Sequence, residues 1–544
     1  MSEKVWYQHY GTAIPQEVDL NAYPSVVAMF DEAIAKFRDQ PAFENFGAKL
    51  TYGDMDEAGN KIGAYLQKTL GHQKGDRVAV MMPNILGFPA AMLGILRAGL
   101  VQVNVNPLYT PRELKHQLND ADVETIIIFS GSTPVLAEIL GETPVKNIIT
   151  VNLGDLGNPN LPSPPVDERI SNSVTLQTVL EEGAKLELTP VEITQDDLIF
   201  LQYTGGTTGL SKGAMLTHGN LVANVMQYRG FVGSLVEEGN ELVITALPLY
   251  HIFALMVNFI TYFISGAENV LITNPRDMPG FVEELKKHRF SVFTGVNTLY
   301  AGLLMTPGIE ECDFSNLRNA AGGGTAVQKV ISDRWKTLTG SHIREGYGLS
   351  ETSPILTFNP PTATEFKNSI GIPLPMTDVS IRDDEGNEVP QGETGEICAR
   401  GPQVMKGYWK REDATAEVMT KDGFFRTGDV AYMDESGYFY IVDRKKDMIL
   451  VSGFNVFPNE IEAIAAELDN VAECACVGVP DERTGEAVKL FVVKKPDTEI
   501  TTEEITEYCR KNLTAYKVPK QIVFIDEIPK SAVGKILRRE LRDV

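Results

Sequence analysis

The sequence predicts an α/β protein: a large N-terminal unit of layered parallel sheets with helices plus a β-rich subdomain, and a small, mobile α+β C-terminal domain. Three observations predict it. Short apolar runs alternate with helical patterns over residues 23–129 and again after residue 198, the cadence of parallel strands joined by crossover helices. Beyond Ile370 the texture changes to short strands set between turn signals, and after the charged DRKKD segment a self-contained helix and strand pattern begins. At 544 residues the chain also exceeds what one hydrophobic core organises.

Taken in order, DRVAVMMP, VQVNVNP and ETIIIF read as buried strands, with helices through FPAAMLGILRAG and after Thr110. Gly/Asn/Pro-rich residues 152–165 read as a surface connection. DLIFLQY is a strand running into a glycine-rich loop that leads to a helix near His218, and ENVLIT, a helix at 281–287, FSVFTGV and a helix at 299–305 continue the alternation. VSIRDDEGNEV, GEICARG and GYFYIVDRKK make the β-rich part. The last part reads as a helix (459–468), two strands (474–479 and 488–493), a helix (502–513) and a strand (521–525). The boundary is expected at 444–447, dividing the chain into 1–445 and 446–544, a plausible size for a small domain.

Residues 242–267 contain no charged side chain, a length that could span a bilayer. Pro248, His251 and Asn258 interrupt the run and no Lys/Arg cluster flanks it, so a buried strand and helix lining an apolar cavity are expected instead.

Composition narrows the function. A formal net charge of −24 argues against a surface built to neutralise nucleic-acid phosphates, so any anionic ligand must meet local positive groups. The five cysteines form no CxxC pair, and Cys474 and Cys476 alternate as one face of a strand; buried thiols in a reducing cytoplasm are expected. The N-terminus lacks the basic and apolar regions of a secretory signal.

Four segments carry chemistry. YTGGTTGLSKG, 203–213, packs glycines, threonines and Lys212 behind a strand, so backbone N–H groups and hydroxyls can face a polyphosphate; the spacing is not that of a Walker A loop, and a surface turn is the plain alternative. REGYGLSET, 344–352, sets Tyr347 among glycines, suited to stacking on a purine, and offers Glu351 as a hard oxygen ligand for Mg²⁺; a core tyrosine and a solvated carboxylate are the alternatives. In DGFFRTGDVAYMDESGYFYIVDRKKD, Asp429 can accept from ribose hydroxyls and Arg444 can reach the same sugar or the α-phosphate. In PKSAVGKILRREL, Lys535 sits between Gly534 and a basic helix, where a lysine by itself is ordinarily solvated surface.

Together with ALPLYHIFAL and ITNPRDMPG, these segments resemble, over nearly the whole chain, the adenylate-forming superfamily of acyl-CoA synthetases, carrier-protein adenylation domains and beetle luciferases, and most of all its bacterial long-chain-fatty-acid–CoA ligases. The resemblance implies ATP-dependent activation of a fatty acid to acyl-AMP with release of pyrophosphate, then thioester formation with coenzyme A. It implies Mg²⁺ as cofactor. It assigns ATP to Tyr203, Thr204, Gly205, Gly206, Thr207, Thr208, Gly209 and Lys212, to Gly346, Tyr347, Gly348 and Ser350, and to Asp429 and Arg444. Thr204 and Glu351 would neighbour Mg²⁺, and Lys535, Thr204, Lys212 and Glu351 would be catalytic. Lys446 falls at the family's hinge, Gly453 and Phe454 border the CoA tunnel, and His251, Gly295 and Gly323 border the acyl group, a satisfied core histidine being the alternative for His251.

The partners implied are a fatty acid, ATP and CoA, with no nucleic acid. A cytoplasmic enzyme in peripheral contact with the cytoplasmic membrane is expected, and a homodimer is the default assembly. Two rivals stand at this level: an adenylating enzyme with another acceptor, and a membrane fatty-acid carrier anchored by 242–267.

Overall fold

The computed structural model describes residues 4–204, 211–452, 454–481, 483–531, 534, 536–542 and 544. Two large sheets form the body. In the first, Ser173–Thr175, Asn147–Val151, Thr125–Phe129, Arg77–Met81, Val101–Val105 and Leu198–Thr204 lie parallel in that spatial order, and Lys212–Thr217 closes the edge antiparallel. In the second, a parallel run of Pro41–Asn45, Glu268–Leu271, Leu242–Thr245, Val292–Gly295, Asn319–Gly322 and Ile343–Gly348 is flanked by antiparallel strands at both ends. The hairpin Pro41–Asn45/Ala48–Thr51 joins this second sheet although the strands that follow it belong to the first.

The predicted strands and helices of the body are present, with shifts of a few residues at their ends. Local capping explains several starts. Thr110 and Glu113 form a reciprocal capping box with Pro111 in the first turn, fixing the helix Pro111–Asp120. The helices Tyr52–Lys68 and Gly87–Arg97 approach closely because Gly59 and Gly94 face each other's partners: a Cβ on Gly94 would come 2.7 Å from Ile62, and one on Gly59 2.7 Å from Leu93. Polar side chains at the strand ends tie the two sheets together. Asn84 donates to the carbonyls of Thr245 and Leu247 at 3.0 and 2.9 Å and accepts from the Leu249 N–H, and Gln202 donates to the Tyr250 carbonyl at 3.1 Å.

The uncharged stretch 242–267 is a buried strand, Leu242–Thr245, followed by a turn and a helix whose Leu255–Thr261 part is wound as a π-helix. Its rings pack into the core: Phe259 and Phe263 meet Phe30 and Phe43, and Phe263 also meets Tyr52. Among the described residues no helix is long and apolar enough to cross a membrane. All five cysteines are buried and free.

A four-stranded antiparallel sheet, Asp378–Arg382, Gly395–Arg400, Phe425–Met433 and Phe439–Arg444, forms the β-rich part. A separate five-stranded sheet begins at Ile449–Val451, so sheet membership changes between Arg444 and Ile449; Lys446 lies exposed in the turn between them. The C-terminal core has its own apolar cluster around Ile461, Cys474, Cys476, Leu490 and Ile505. The pair Ile449–Val451/Phe454–Val456 adds two short strands to the expected pattern. Asp443 links the two parts, its carboxylate accepting from the Asn459 N–H at 2.9 Å at the start of the helix Pro458–Ala465.

Candidate active site

Parallel sheets present their ligands at the carboxyl ends of their strands, and three groups of predicted residues gather at such ends. The first lies at the end of Leu198–Thr204. This strand returns as Lys212–Thr217, pairing Thr204 with Lys212 and Tyr203 with Gly213. The strands on either side of the threonine-rich segment therefore pair antiparallel, and the helix His218–Val232 starts only after the second strand, which corrects the expected strand–loop–helix order. That strand was hidden because KGAML reads as the loop's own continuation. Gly205, Gly206, Thr207, Thr208 and Gly209 lie outside the described residues. Thr204 and Lys212 stand at the hairpin base.

The turn Ser350–Thr352 packs against both hairpin strands and brings Glu351 to them. Glu351 is 7% exposed, so it is not the solvated carboxylate its place after a turn would suggest. Its Oε1 accepts from the Tyr408 hydroxyl at 2.8 Å, and Lys212 Nζ lies 5.2 Å from the Tyr408 ring centroid. Burial, and then the Glu351 charge, push the Tyr408 hydroxyl upward, keeping it a donor. A buried carboxylate beside the strand that ends in the Thr204 hydroxyl is a set of hard oxygen donors, which fits Mg²⁺. Among the described residues, the His/Glu group with metal-ligand spacing, Glu44, Glu284 and His288, lies on the far hairpin and helix, where Lys49 Nζ already sits 3.1 Å from Glu44 Oε2.

The second group is held by Ile343–Gly348. The Tyr347 hydroxyl donates to Asp429 Oδ2 at 2.6 Å, and Arg444 Nε lies 3.3 Å from Asp429 Oδ1. Asp429 and Arg444 are direct cross-strand partners, and Asp429 is 4% exposed. Burial and the Asp429 charge hold the Tyr347 hydroxyl well above its ordinary range. Gly346 and Gly348 leave no room for side chains: a Cβ on Gly348 would come 1.8 Å from the Pro354 carbonyl oxygen, and one on Gly346 2.5 Å from the Phe358 ring. Ser350 opens the turn that follows.

The third group surrounds Phe253. A Cβ on Gly323 would lie 3.3 Å from this ring and 3.1 Å from the Gly346 carbonyl oxygen. His251 Nδ1 accepts from the Phe253 N–H at 3.3 Å, so the imidazole caps the short helix Ile252–Ala254. Gly295 faces Gly322 across neighbouring parallel strands and is backed by the Tyr300 ring. Sequence reasoning passed over Glu345, which is 6% exposed and whose carboxyl burial pushes up to about 8; its Oε1 accepts from the Val327 N–H at 3.3 Å. The signal was its place two residues before Tyr347, hence on the same face of the strand.

Lys535 and Gly453 lie outside the described residues. Gly534, with φ +76°, rests against the start of the helix Asn297–Met305, where a Cβ would come 2.9 Å from Val296 and 3.0 Å from Thr298. Phe454 is half exposed and stacks on Tyr516 with ring centroids 4.8 Å apart.

Comparisons with known proteins identify the family and the fold. The family model described as AMP-binding enzyme matches residues 30–409, and that of the AMP-binding enzyme C-terminal domain matches 460–535. The chain is 49% identical to a long-chain-fatty-acid–CoA ligase of Escherichia coli O6:H1, covering 99% of this chain and 98% of that protein. It is 38% identical, over the same shares, to the Bacillus subtilis (strain 168) protein of that name. ATP-bound MatB from Rhodopseudomonas palustris has a similar structure, with a TM-score of 0.82 at 28% identity over 95% of this chain and 98% of that one. With both family models matched and its length shared with such relatives, the chain belongs to the AMP-binding enzyme family.

Proposed function

We propose that the protein is a long-chain-fatty-acid–CoA ligase of the AMP-forming type, acting in fatty-acid metabolism. The observation that carries this reading is identity near one half, over almost the full length, to proteins of that name. The reaction has two halves. A fatty-acid carboxylate attacks the α-phosphorus of ATP, pyrophosphate leaves, and acyl-AMP remains. The thiol of coenzyme A then attacks the acyl carbon and AMP leaves with the bond electrons.

Each group of side chains has a part in this chemistry. The hairpin base, with Lys212 and the loop above it, takes the β- and γ-phosphates. Mg²⁺, held by Glu351 and Thr204, supplies charge neutralisation on the phosphate oxygens when bound. Gly346, Tyr347 and Gly348 border the adenine, and the Asp429 carboxylate accepts from the ribose hydroxyls while Arg444 steadies it; the hydrogen bond from Tyr347 and the ion pair with Arg444 support this by fixing the carboxylate before substrate arrives. Phe253, His251, Gly295 and Gly323 border the acyl carboxyl end. Lys535 stabilises the charge that builds on the α-phosphate during adenylation, worth on the order of a few kcal/mol in a water-excluded site; its neighbour Gly534 rests beside Val296, directly after Gly295, which supports that role.

The small domain, residues 446–544, turns about Lys446 between the two halves and brings Gly453 and Phe454 toward coenzyme A. The enzyme works in the cytoplasm and touches the membrane peripherally, because its substrate partitions into lipid, and it assembles as a homodimer by default.

Purified protein given oleate, ATP and Mg²⁺ is expected to release pyrophosphate and to make oleoyl-CoA only when coenzyme A is added. AMP release without an acyl-CoA product would sink the reading. Lys535→Ala is expected to abolish acyl-AMP formation while transfer from supplied acyl-AMP to coenzyme A largely survives; parallel loss of both halves would refute the role given to Lys535.

A further inference from the structure

We propose that His116 and Asp120, one turn apart on the helix Pro111–Asp120, are positioning residues that clamp the two strands of the hairpin Leu198–Thr204/Lys212–Thr217 at its base, beside Thr204 and Lys212. The proposal rests on the ligase reading, and it concerns side chains that make no contact with the reacting atoms. On the incoming stem, the Tyr203 hydroxyl donates to Asp120 Oδ2 at 2.6 Å. On the outgoing stem, His116 Nε2 donates to the Ser211 carbonyl at 2.8 Å. The His116 and Tyr203 rings also meet edge to face, with centroids 6.4 Å apart. Residues i and i+4 share one helical face, so a single rigid element touches the chain just before and just after the loop.

The helix is itself anchored at both ends. The Thr110/Glu113 capping box fixes its start, Gln117 donates to the Asn104 carbonyl at 2.8 Å, and its last carbonyl, that of Asp120, accepts from Trp409 Nε1 at 3.0 Å and Lys410 Nζ at 2.9 Å. Arg411 approaches Asp120 Oδ1 at 3.4 Å, so the carboxylate has a cation on one oxygen and the Tyr203 hydroxyl on the other. The same segment runs along the hairpin, with the Trp409 N–H donating to the Gly213 carbonyl at 2.8 Å, and presents Tyr408 to Glu351. A Cβ on Gly213 would come 3.1 Å from the Tyr203 ring, so the two strands approach closely here.

Tyr203 and Ser211 adjoin Thr204 and Lys212, the hairpin-base residues to which the ligase reading gives Mg²⁺ and the phosphates. Fixing both strands in advance reduces the ordering that ATP binding would otherwise have to offset. The contribution therefore belongs to ATP binding and adenylation. It is absent from the thioester half, in which the β- and γ-phosphates have already left.

The test measures pyrophosphate exchange against ATP concentration, and oleoyl transfer from supplied oleoyl-AMP to coenzyme A, in the full-length enzyme. His116→Ala and Asp120→Ala are each expected to raise the KM for ATP by about tenfold, the scale of one lost hydrogen bond to a charged or fixed partner, with oleoyl transfer unchanged. His116→Gln, which keeps a donor, and Asp120→Asn, which keeps an acceptor, should recover most of the loss. Tyr203→Phe removes one hydroxyl without a cavity and should reproduce a smaller rise. Lys115→Met, on the same helix but paired with Glu142 away from the loop, should behave as wild type. An unchanged KM for ATP in His116→Ala and Asp120→Ala would overturn the clamp, as would parallel loss of both half-reactions together with the thermal midpoint. A wild-type enzyme that makes no acyl-AMP would remove the ligase reading and the clamp with it, whereas wild-type activity with indifferent variants removes the clamp alone.

Discussion

The ends of the site proposed for the nucleoside and for the acyl group are built on opposite principles. At the nucleoside end three side chains lock one another: the Tyr347 hydroxyl and the Arg444 guanidinium both engage the Asp429 carboxylate. At the acyl end the defining features are missing side chains, with Gly295, Gly322 and Gly323 letting the Tyr300 ring, Val327 and the Phe253 ring pack directly against the strand ends. Polar recognition needs particular atoms at particular places, so it constrains residue types. Apolar accommodation needs volume, which many combinations of residues supply.

Breaking the polar end should therefore have the larger effect. Asp429→Ala leaves Arg444 without its carboxylate and Tyr347 without its acceptor, and removes the group expected to bind ribose. The loss in kcat/KM for ATP should be on the order of a hundredfold, from a hydrogen-bonded charge worth roughly 1.5–3 kcal/mol. Tyr347→Phe deletes only the hydroxyl and should cost about tenfold or less. If the two variants were equally impaired, the Tyr347 hydroxyl and not the carboxylate alone would be the centre of this end.

This difference also decides what could be read from the sequence. Asp429, Tyr347 and Arg444 could be singled out because a carboxylate after a Thr-Gly turn, an aromatic among glycines and an arginine in a charged turn suit a nucleoside, although a core tyrosine stayed open as the alternative for Tyr347. Their mutual contact was not legible: it depends on Asp429 and Arg444 being opposite in register across two antiparallel strands. The alternating strands and helices of the body were legible because burial on both faces imposes long apolar runs. The hairpin strand Lys212–Thr217 was not, since its residues carry no period distinct from the loop before it. The burial of 242–267 was legible from the interruptions at Pro248, His251 and Asn258, but the winding of Leu255–Thr261 as a π-helix among phenylalanines was not.

At the acyl end a substitution should act through volume. Gly323→Val places a branched side chain where a Cβ alone already meets the Gly346 carbonyl oxygen at 3.1 Å and Phe253 at 3.3 Å. One neighbour is backbone and cannot turn aside. We expect kcat/KM for oleate to fall by roughly tenfold, the scale of 1–3 kcal/mol for overpacking, with a smaller change for ATP; Phe253→Ala in the same chain should restore part of the loss by giving up the ring. A fall in ATP affinity larger than that in oleate affinity would assign Gly323 to the nucleoside end instead.

The smallest effect concerns the group that sits between the two ends. Glu345 lies two residues before Tyr347 and opposite Gly322, and burial pushes its carboxyl up to about 8. In the unfolded chain the same group has its ordinary value of 4.5. Between these two values the folded protein holds a proton that the unfolded chain has released, so stability falls as pH rises across that window. His218, buried with its Nδ1 accepting from the Val26 N–H, is pushed down to about 4 and works in the reverse sense: below about 6.5 the unfolded chain takes up a proton first, and stability falls as pH drops toward 4. Both can be read from thermal midpoints measured from pH 4 to 9. Glu345→Gln, which removes the ionisation and keeps an acceptor for the Val327 N–H, should raise the midpoint at pH 8 and leave it unchanged at pH 5. A midpoint raised equally at both values would mean that the neutral amide packs better than the acid, and that the carboxyl is not the titrating link between the polar and apolar ends.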